Sequence, residues 1–131
     1  MKDLLCDQFQ ETVEECLIRH KNILDTVSKL QESVARVNRA VAKAVTDCGC
    51  VTVHSERHPI PEGISIEQLR TVLDSGVRGQ LCDNCREVVE AEVGQTLFYL
   101  TGVLNAMDLN LYDCLLKEQK RIAALGIFNF S

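Results

Sequence analysis

Tryptophan is absent from the sequence, aromatic residues make up only 5% of it, and proline occurs twice. A core without many large rings must be built from Leu, Val, Ile and Ala, which favours interdigitating helices over packed sheets. Positive charge is also in deficit. Fourteen Lys and Arg face nineteen Asp and Glu, giving a net charge of −5 and a pI near 5.2. No overall positive field exists to draw in nucleic acid or anionic lipid. No apolar run approaches the roughly 18 residues of a membrane span. The opening MKDLLCDQFQ lacks the apolar stretch of a secretory signal. The expectation is a cytoplasmic chain with no membrane or nucleic-acid partner. Its 131 residues, 46% hydrophobic, are enough for a single helical domain spanning 1–131.

Glycine and proline are missing between Lys2 and Asp47. Apolar residues recur there at helical spacing, from Leu5, Phe9 and Val13 through Leu24, Val27, Leu30, Val34, Val37, Val41 and Val45. One helix of that length is unusual outside a coiled coil. The pattern predicts two helices, about 3–22 and about 27–47, with Ser28 and Gln31 as a capping box at the second start. Residues 48–64 break the pattern, with a short extended piece at Val51 and Val53 and with Pro59 and Pro61 excluding a helix. Ser65, followed by Gln68, opens a short helix to about Asp74. Ser75, Gly76 and Gly79 form the next turn. A long helix over 83–107 is apolar around most of its circumference. It is followed by a turn at 108–110 and a last helix over 111–125, closed by Gly126 at C′.

Cysteine, by contrast, is abundant. Seven occur without a secretory signal, an odd number that argues against a disulfide framework. Cys6, Cys16 and Cys114 stand alone in helical patterns and read as small core residues. The other four form two close pairs, Cys48-Gly49-Cys50 and Cys82-Asp83-Asn84-Cys85, at the two ends of an irregular insert of about 48–85. Short spacings deliver thiolates two at a time, and four around one ion make a structural zinc site. An iron–sulfur cluster uses the same ligand type, and four unrelated buried thiols or a redox pair are the competing readings. His54 and His58 lie in the same insert and could replace a thiol, although charged neighbours favour solvated loop histidines. His20, His54 and His58 have no acidic partner at a telling spacing, and no phosphate loop or nucleophile motif occurs.

The stretch Glu92-Val93-Gly94-Gln95-Thr96-Leu97-Phe98-Tyr99-Leu100, followed by Asn105 to Leu111, resembles the third core helix and following turn of the MazG-like and dimeric dUTPase-like all-α nucleoside triphosphate pyrophosphohydrolases. Leu30 to Ala40 is similar to the family's preceding Glu-Glu-x-x-Glu helix. With the last helix, the likeness covers about half the chain. The resemblance implies an antiparallel four-helix bundle, here with one extra short helix and a Cys-rich insert. In the family, carboxylates hold Mg²⁺ and water attacks between the α- and β-phosphates. Carried over, the motif positions read Glu32, Ser33 and Arg36, then Glu92 and Gln95. Only two keep a carboxylate, and Arg36 sets a cation where a cation should bind. Glu87, Glu90 and the pair Glu14 and Glu15 read as solvated faces rather than replacements. Lys117, Lys120 and Arg121 could meet phosphates, although cations near a helix C-terminus are also favoured by its dipole. Tyr99 and Tyr112 could stack on a base, but buried tyrosine with a bonded hydroxyl is commoner.

These readings predict a non-catalytic, metal-pinned relative of the pyrophosphohydrolases, acting as a structural, regulatory or nucleotide-sensing module. Its expected cofactor is structural zinc, with Mg²⁺ needed only if an active pyrophosphohydrolase with altered ligands is the right alternative. A protein-interaction adaptor is the third class. The apolar surface of the 86–107 helix predicts a homodimer through it.

Overall fold

A computed structural model of the protein describes residues 4–125. The main elements are helices, as the composition predicts: α1 (Leu4–Cys16), α2 (Ile23–Lys43), α3 (Ile66–Val72), α4 (Asp83–Ala106) and α5 (Leu111–Leu125). The only sheet among the described residues pairs β1 (Val51–Val53) with β2 (Val77–Gly79), antiparallel, with Val51 opposite Gly79 and Val53 opposite Val77. Two compact units result, one of Met1–Arg36 with Glu92–Ser131, the other of Val37–Ala91. Both α2 and α4 run from one unit into the other.

In the first unit, α1 packs on α5. Gln10 fastens the contact. Its amide nitrogen donates to Asn105 Oδ1 at 2.8 Å and to the Leu109 carbonyl at 3.0 Å, while its Oε1 accepts from the Leu111 N–H at 2.7 Å. Asn105 donates back to the Gln10 carbonyl. One side chain thus ties α1 to the end of α4 and the start of α5, satisfying backbone groups that helix termini leave open. Val13, Leu17, Thr26, Ser33, Thr101 and Leu104 are buried here. Gly102 leaves room for this packing, because a Cβ there would lie 2.5 Å from Leu17 Cδ2, which would have to shift.

The break between the first two helices falls earlier than the sequence pattern predicts. α1 ends at Cys16 rather than near 22, and α2 starts at Ile23 rather than near 27. His20 adopts a left-handed conformation (φ 60°), and Asn22 Oδ1 accepts from the Leu24 N–H at 3.0 Å. His and Asn are among the residues that tolerate such geometry and cap helices, so no Gly or Pro is needed. Thr26 Oγ1 donates to the His20 and Asn22 carbonyls and closes the turn. The expected capping box at Ser28 does not form. Ser28 is inside α2 and its hydroxyl donates back to the Leu24 carbonyl.

In the second unit, α2 widens into a π-turn over Ala44–Cys48 and stops at Gly49, whose N–H donates to the Ala44 carbonyl from a left-handed φ of 77°. Glycine takes that conformation without strain. The chain then enters β1, the extended piece expected at 51–53, with Val51 buried. The predicted capping box at α3 is present, Ser65 Oγ accepting from the Gln68 N–H and Gln68 Oε1 accepting from the Ser65 N–H. Gly79, expected in a turn, instead ends β2 opposite Val51. The helix boundaries expected for α4 and α5 agree with the structure to within a residue. The role expected of Gly126 falls outside the described residues.

Candidate metal centre and a polar pocket

All four paired cysteines converge within the second unit. Cys48 closes the π-turn, Cys50 precedes β1, and Cys82 and Cys85 stand at the start of α4. The β1–β2 pairing brings these sequence-distant segments together, since Val51 and Gly79 are directly opposed. Their four Sγ atoms lie within 4.8 Å of one another, and Cys48 Sγ is 3.8 Å from Cys82 Sγ. An ion bound tetrahedrally by sulfurs at about 2.3 Å sets those sulfurs about 3.8 Å apart. The cluster therefore matches the cage of a single ion and could hold one. A multi-iron cluster places its thiolates on different irons and demands wider separation.

The electrostatics of the cluster favour a cation. Cys82 sits where the N-cap of α4 belongs, and its Sγ accepts from the Cys85 N–H at 3.4 Å. That amide, followed by the Cys85 thiol, lowers the Cys82 pKa to about 7. Cys85 is pushed up to about 12, first by its hydrogen bond to the Cys82 sulfur and then by burial. At Cys48 the Cys50 amide and the Cys85 thiol favour the thiolate, but the Cys82 and Cys50 sulfurs and burial outweigh them and raise its pKa. Four sulfurs this close cannot all ionise alone. A bound cation reverses that preference and drives the thiols to thiolates.

The three remaining cysteines divide. Cys6 is buried as expected, whereas Cys16 and Cys114 are exposed, one at the end of α1 and the other on the outer face of α5. His54 and His58 stay outside the cluster. His54 Nε2 lies 3.5 Å from Glu56. His20, for which the sequence showed no acidic partner, has its Nδ1 2.5 Å from Asp25 Oδ2. The left-handed turn at His20 makes that approach possible across five positions.

In the first unit, Glu32, Ser33, Arg36 and Gln95 line one small polar pocket of about 140 Å³ with Lys29 and Tyr99. Helical spacing explains the grouping, because 29, 32, 33 and 36 share a face of α2, as 92, 95, 96 and 99 do on α4. Glu32 is held between two cations, Lys29 Nζ at 3.1 Å and Arg36 Nη2 at 3.1 Å. Lys29, then Arg36, lower its pKa. Glu92 does not line the pocket, but its Oε2 is buried with no hydrogen-bond partner. Tyr99 also lines a second hollow of about 450 Å³ with Cys16, Leu17, Ile18, Arg19, His20 and Phe98. Phe98 and Tyr99 meet edge to face, centroids 5.2 Å apart. Lys29 was not among the residues singled out in the sequence, although its spacing to Glu32 and Arg36 could have marked it. Lys117, Lys120 and Arg121 line neither space. They are exposed on α5, where Arg121 pairs with Glu118.

Among the described residues, no helix is long and apolar enough to cross a membrane. Compared with known proteins, the chain matches no family model, no curated protein and no solved structure.

Proposed function

We propose that the chain is a zinc-pinned, non-catalytic relative of the all-α nucleoside triphosphate pyrophosphohydrolases that binds an organic phosphate without cleaving it, and that it works in the cytoplasm. The helices of this reading form the antiparallel four-helix bundle implied by the resemblance, with α3 and the Cys-rich insert as additions. One observation carries the metal-pinned part of this reading: four Sγ atoms within 4.8 Å of one another, two from each end of the insert. The borderline-soft, redox-inert Zn²⁺ suits a closed, all-thiolate tetrahedron, which makes the centre structural.

The nucleotide-sensing part rests on the polar pocket. Mg²⁺ needs several carboxylate oxygens at one point, and here Glu32 is already neutralised by Lys29 and Arg36. Those cations suit a phosphate, which guanidinium and ammonium groups bind directly. The pocket's 140 Å³ accommodates a phosphate group but not a nucleoside. The second hollow, which shares Tyr99 with the pocket and is also lined by Phe98, supplies an aromatic surface for a ring.

Active Mg²⁺-dependent hydrolysis is the second reading, favoured by the buried, unpartnered Glu92 Oε2. A panel of nucleotides separates the two. Titration calorimetry without Mg²⁺ is expected to give binding that Arg36→Glu abolishes, with no pyrophosphate released when Mg²⁺ or Mn²⁺ is added. Turnover that disappears in Glu92→Ala establishes the second reading. Absence of any binding refutes the sensing role and leaves the metal centre untouched.

A further inference from the structure

We infer that Cys48 is a site of reversible oxidation by hydrogen peroxide, and that it pairs with Cys82 in a disulfide that takes over from the metal ion in closing the insert. The inference rests on the zinc-pinned reading for the ion it displaces. Of the four clustered cysteines, Cys48 alone is exposed, the other three being partly covered. The chain beside it is open as well, since a Cβ at Gly49 would meet nothing within 4 Å. Thiolate character and access decide which cysteine an oxidant reaches first, and a bound cation keeps the thiolate form. A resolving thiol must then lie close. Cys82 Sγ is 3.8 Å from Cys48 Sγ, and the Cys85 N–H holds it in place at 3.4 Å. Cys50 Sγ is instead turned to the Ala44 carbonyl at 3.8 Å.

The electrons balance around one peroxide. The Cys48 thiolate attacks one peroxide oxygen, the O–O bond breaks, and departing hydroxide leaves a sulfenic acid. The Cys82 thiolate attacks that sulfur, forming the S–S bond and expelling a second hydroxide. The two sulfurs together give up two electrons, and two protons from solvent convert the hydroxides to water. Closing from 3.8 Å to a bond of about 2.05 Å is a movement that rotation about the two χ1 angles covers. Cys50 and Cys85 remain as thiolates, fewer than the three or four protein ligands that ordinarily hold zinc, so the ion is released. The new bond nevertheless joins residues 34 apart in sequence, across the same two ends of the insert. Oxidation thus discharges the metal while the hairpin stays tied, whereas a chelator takes the ion and leaves no tie. In the reducing cytoplasm proposed for the chain, disulfides are transient and redox-sensing, which suits a reversible bond.

Disulfide mapping by peptide mass spectrometry, on the full chain titrated with hydrogen peroxide, tests this. A weak chromophoric chelator follows zinc in the same samples. The disulfide between Cys48 and Cys82 and the free zinc are expected to rise together, one for one, while Cys50 and Cys85 stay open to alkylation. A phosphine reductant is expected to reverse both changes. Amide exchange at Val51–Val53 and Val77–Gly79 is expected to stay slow in the oxidised protein. Replacing the other exposed thiols, Cys16→Ser with Cys114→Ser, is expected to leave the pairing unchanged. A main product joining Cys82 to Cys85, or Cys48 to Cys50, overturns the inference. So does a cluster that stays reduced while Cys16 or Cys114 oxidises, zinc loss without the cross-link, or a cross-linked hairpin that loses its protection. Zinc measured before peroxide is added reports on the zinc-pinned reading alone, because the disulfide map decides the pairing with or without an ion.

Discussion

Stripping the ion from the cysteine cluster is expected to unfold the β1–β2 hairpin while the α1–α5 contact survives. In the Val37–Ala91 unit the buried apolar side chains are Ala40, Ala44 and Val51. Full burial of a valine contributes about 1.5–3 kcal/mol and each alanine methyl about 0.8 kcal/mol, roughly 3–5 kcal/mol altogether. A two-stranded hairpin of three residue pairs is at best marginal by itself in water. A structural zinc site with thiolate ligands contributes about 10–16 kcal/mol in model peptides, two or more times the apolar share. In the proposed zinc-bound protein the ion, not the core, would therefore hold this unit. Hydrogen–deuterium exchange before and after treatment with a strong chelator provides the assay. Amides of Val51–Val53 and Val77–Gly79, and the His54 N–H that donates to the Gly76 carbonyl at 2.6 Å, are expected to lose protection. Amides of α1 and α5, which lie in the other unit, are expected to keep it. Undiminished protection of the hairpin after verified metal loss would refute the reasoning.

Metal affinity should fall steeply on acidification. With no ion bound, Cys85 is pushed up to about 12 and keeps its proton at neutral pH, and the Cys48 pKa is raised as well. Binding must expel both protons, so protons and metal compete, and lower pH favours release. Each displaced proton weakens the apparent affinity about tenfold per pH unit, so at least these two predict a roughly hundredfold or larger loss per unit, measurable by competition with a chromophoric chelator. Below about 7, protonation of Cys82 steepens the dependence further. In the other unit, Gly102→Ala is expected to destabilise the protein by about 1–3 kcal/mol, because its methyl would lie 2.5 Å from Leu17 Cδ2. Thermal melting at one protein concentration checks it. A neutral or stabilising result would mean that Leu17 swings aside freely.

Much of the helical framework is legible in the residues themselves. The bounds of α4 and α5 follow from helical periodicity and the intervening polar turn. The α3 start follows from the Ser65 and Gln68 spacing. The cysteine pairs announce themselves as pairs, and their convergence was readable because each flanks the same insert. Three features were hidden for physical reasons. The α1–α2 break uses His20 and Asn22, which signal a turn far more weakly than Gly or Pro. Strand β2 leaves Val77, Arg78 and Gly79 all exposed, so no alternation of apolar and polar residues betrays it. Cys16 and Cys114 read as core residues because they fit helical patterns, yet periodicity alone does not say which faces a neighbour will cover. The polar pocket lies between those extremes. Spacing groups 29, 32, 33 and 36 on one face of α2, but that Gln95 and Tyr99 meet them is a property of the packing.

Zinc-edge X-ray absorption, combined with elemental analysis of freshly purified, reduced protein, examines the metal-pinned account at its source. The account predicts about one zinc per chain, with four sulfur neighbours at about 2.3 Å. Protein that carries neither zinc nor iron, or an ion surrounded by oxygen and nitrogen, would contradict it.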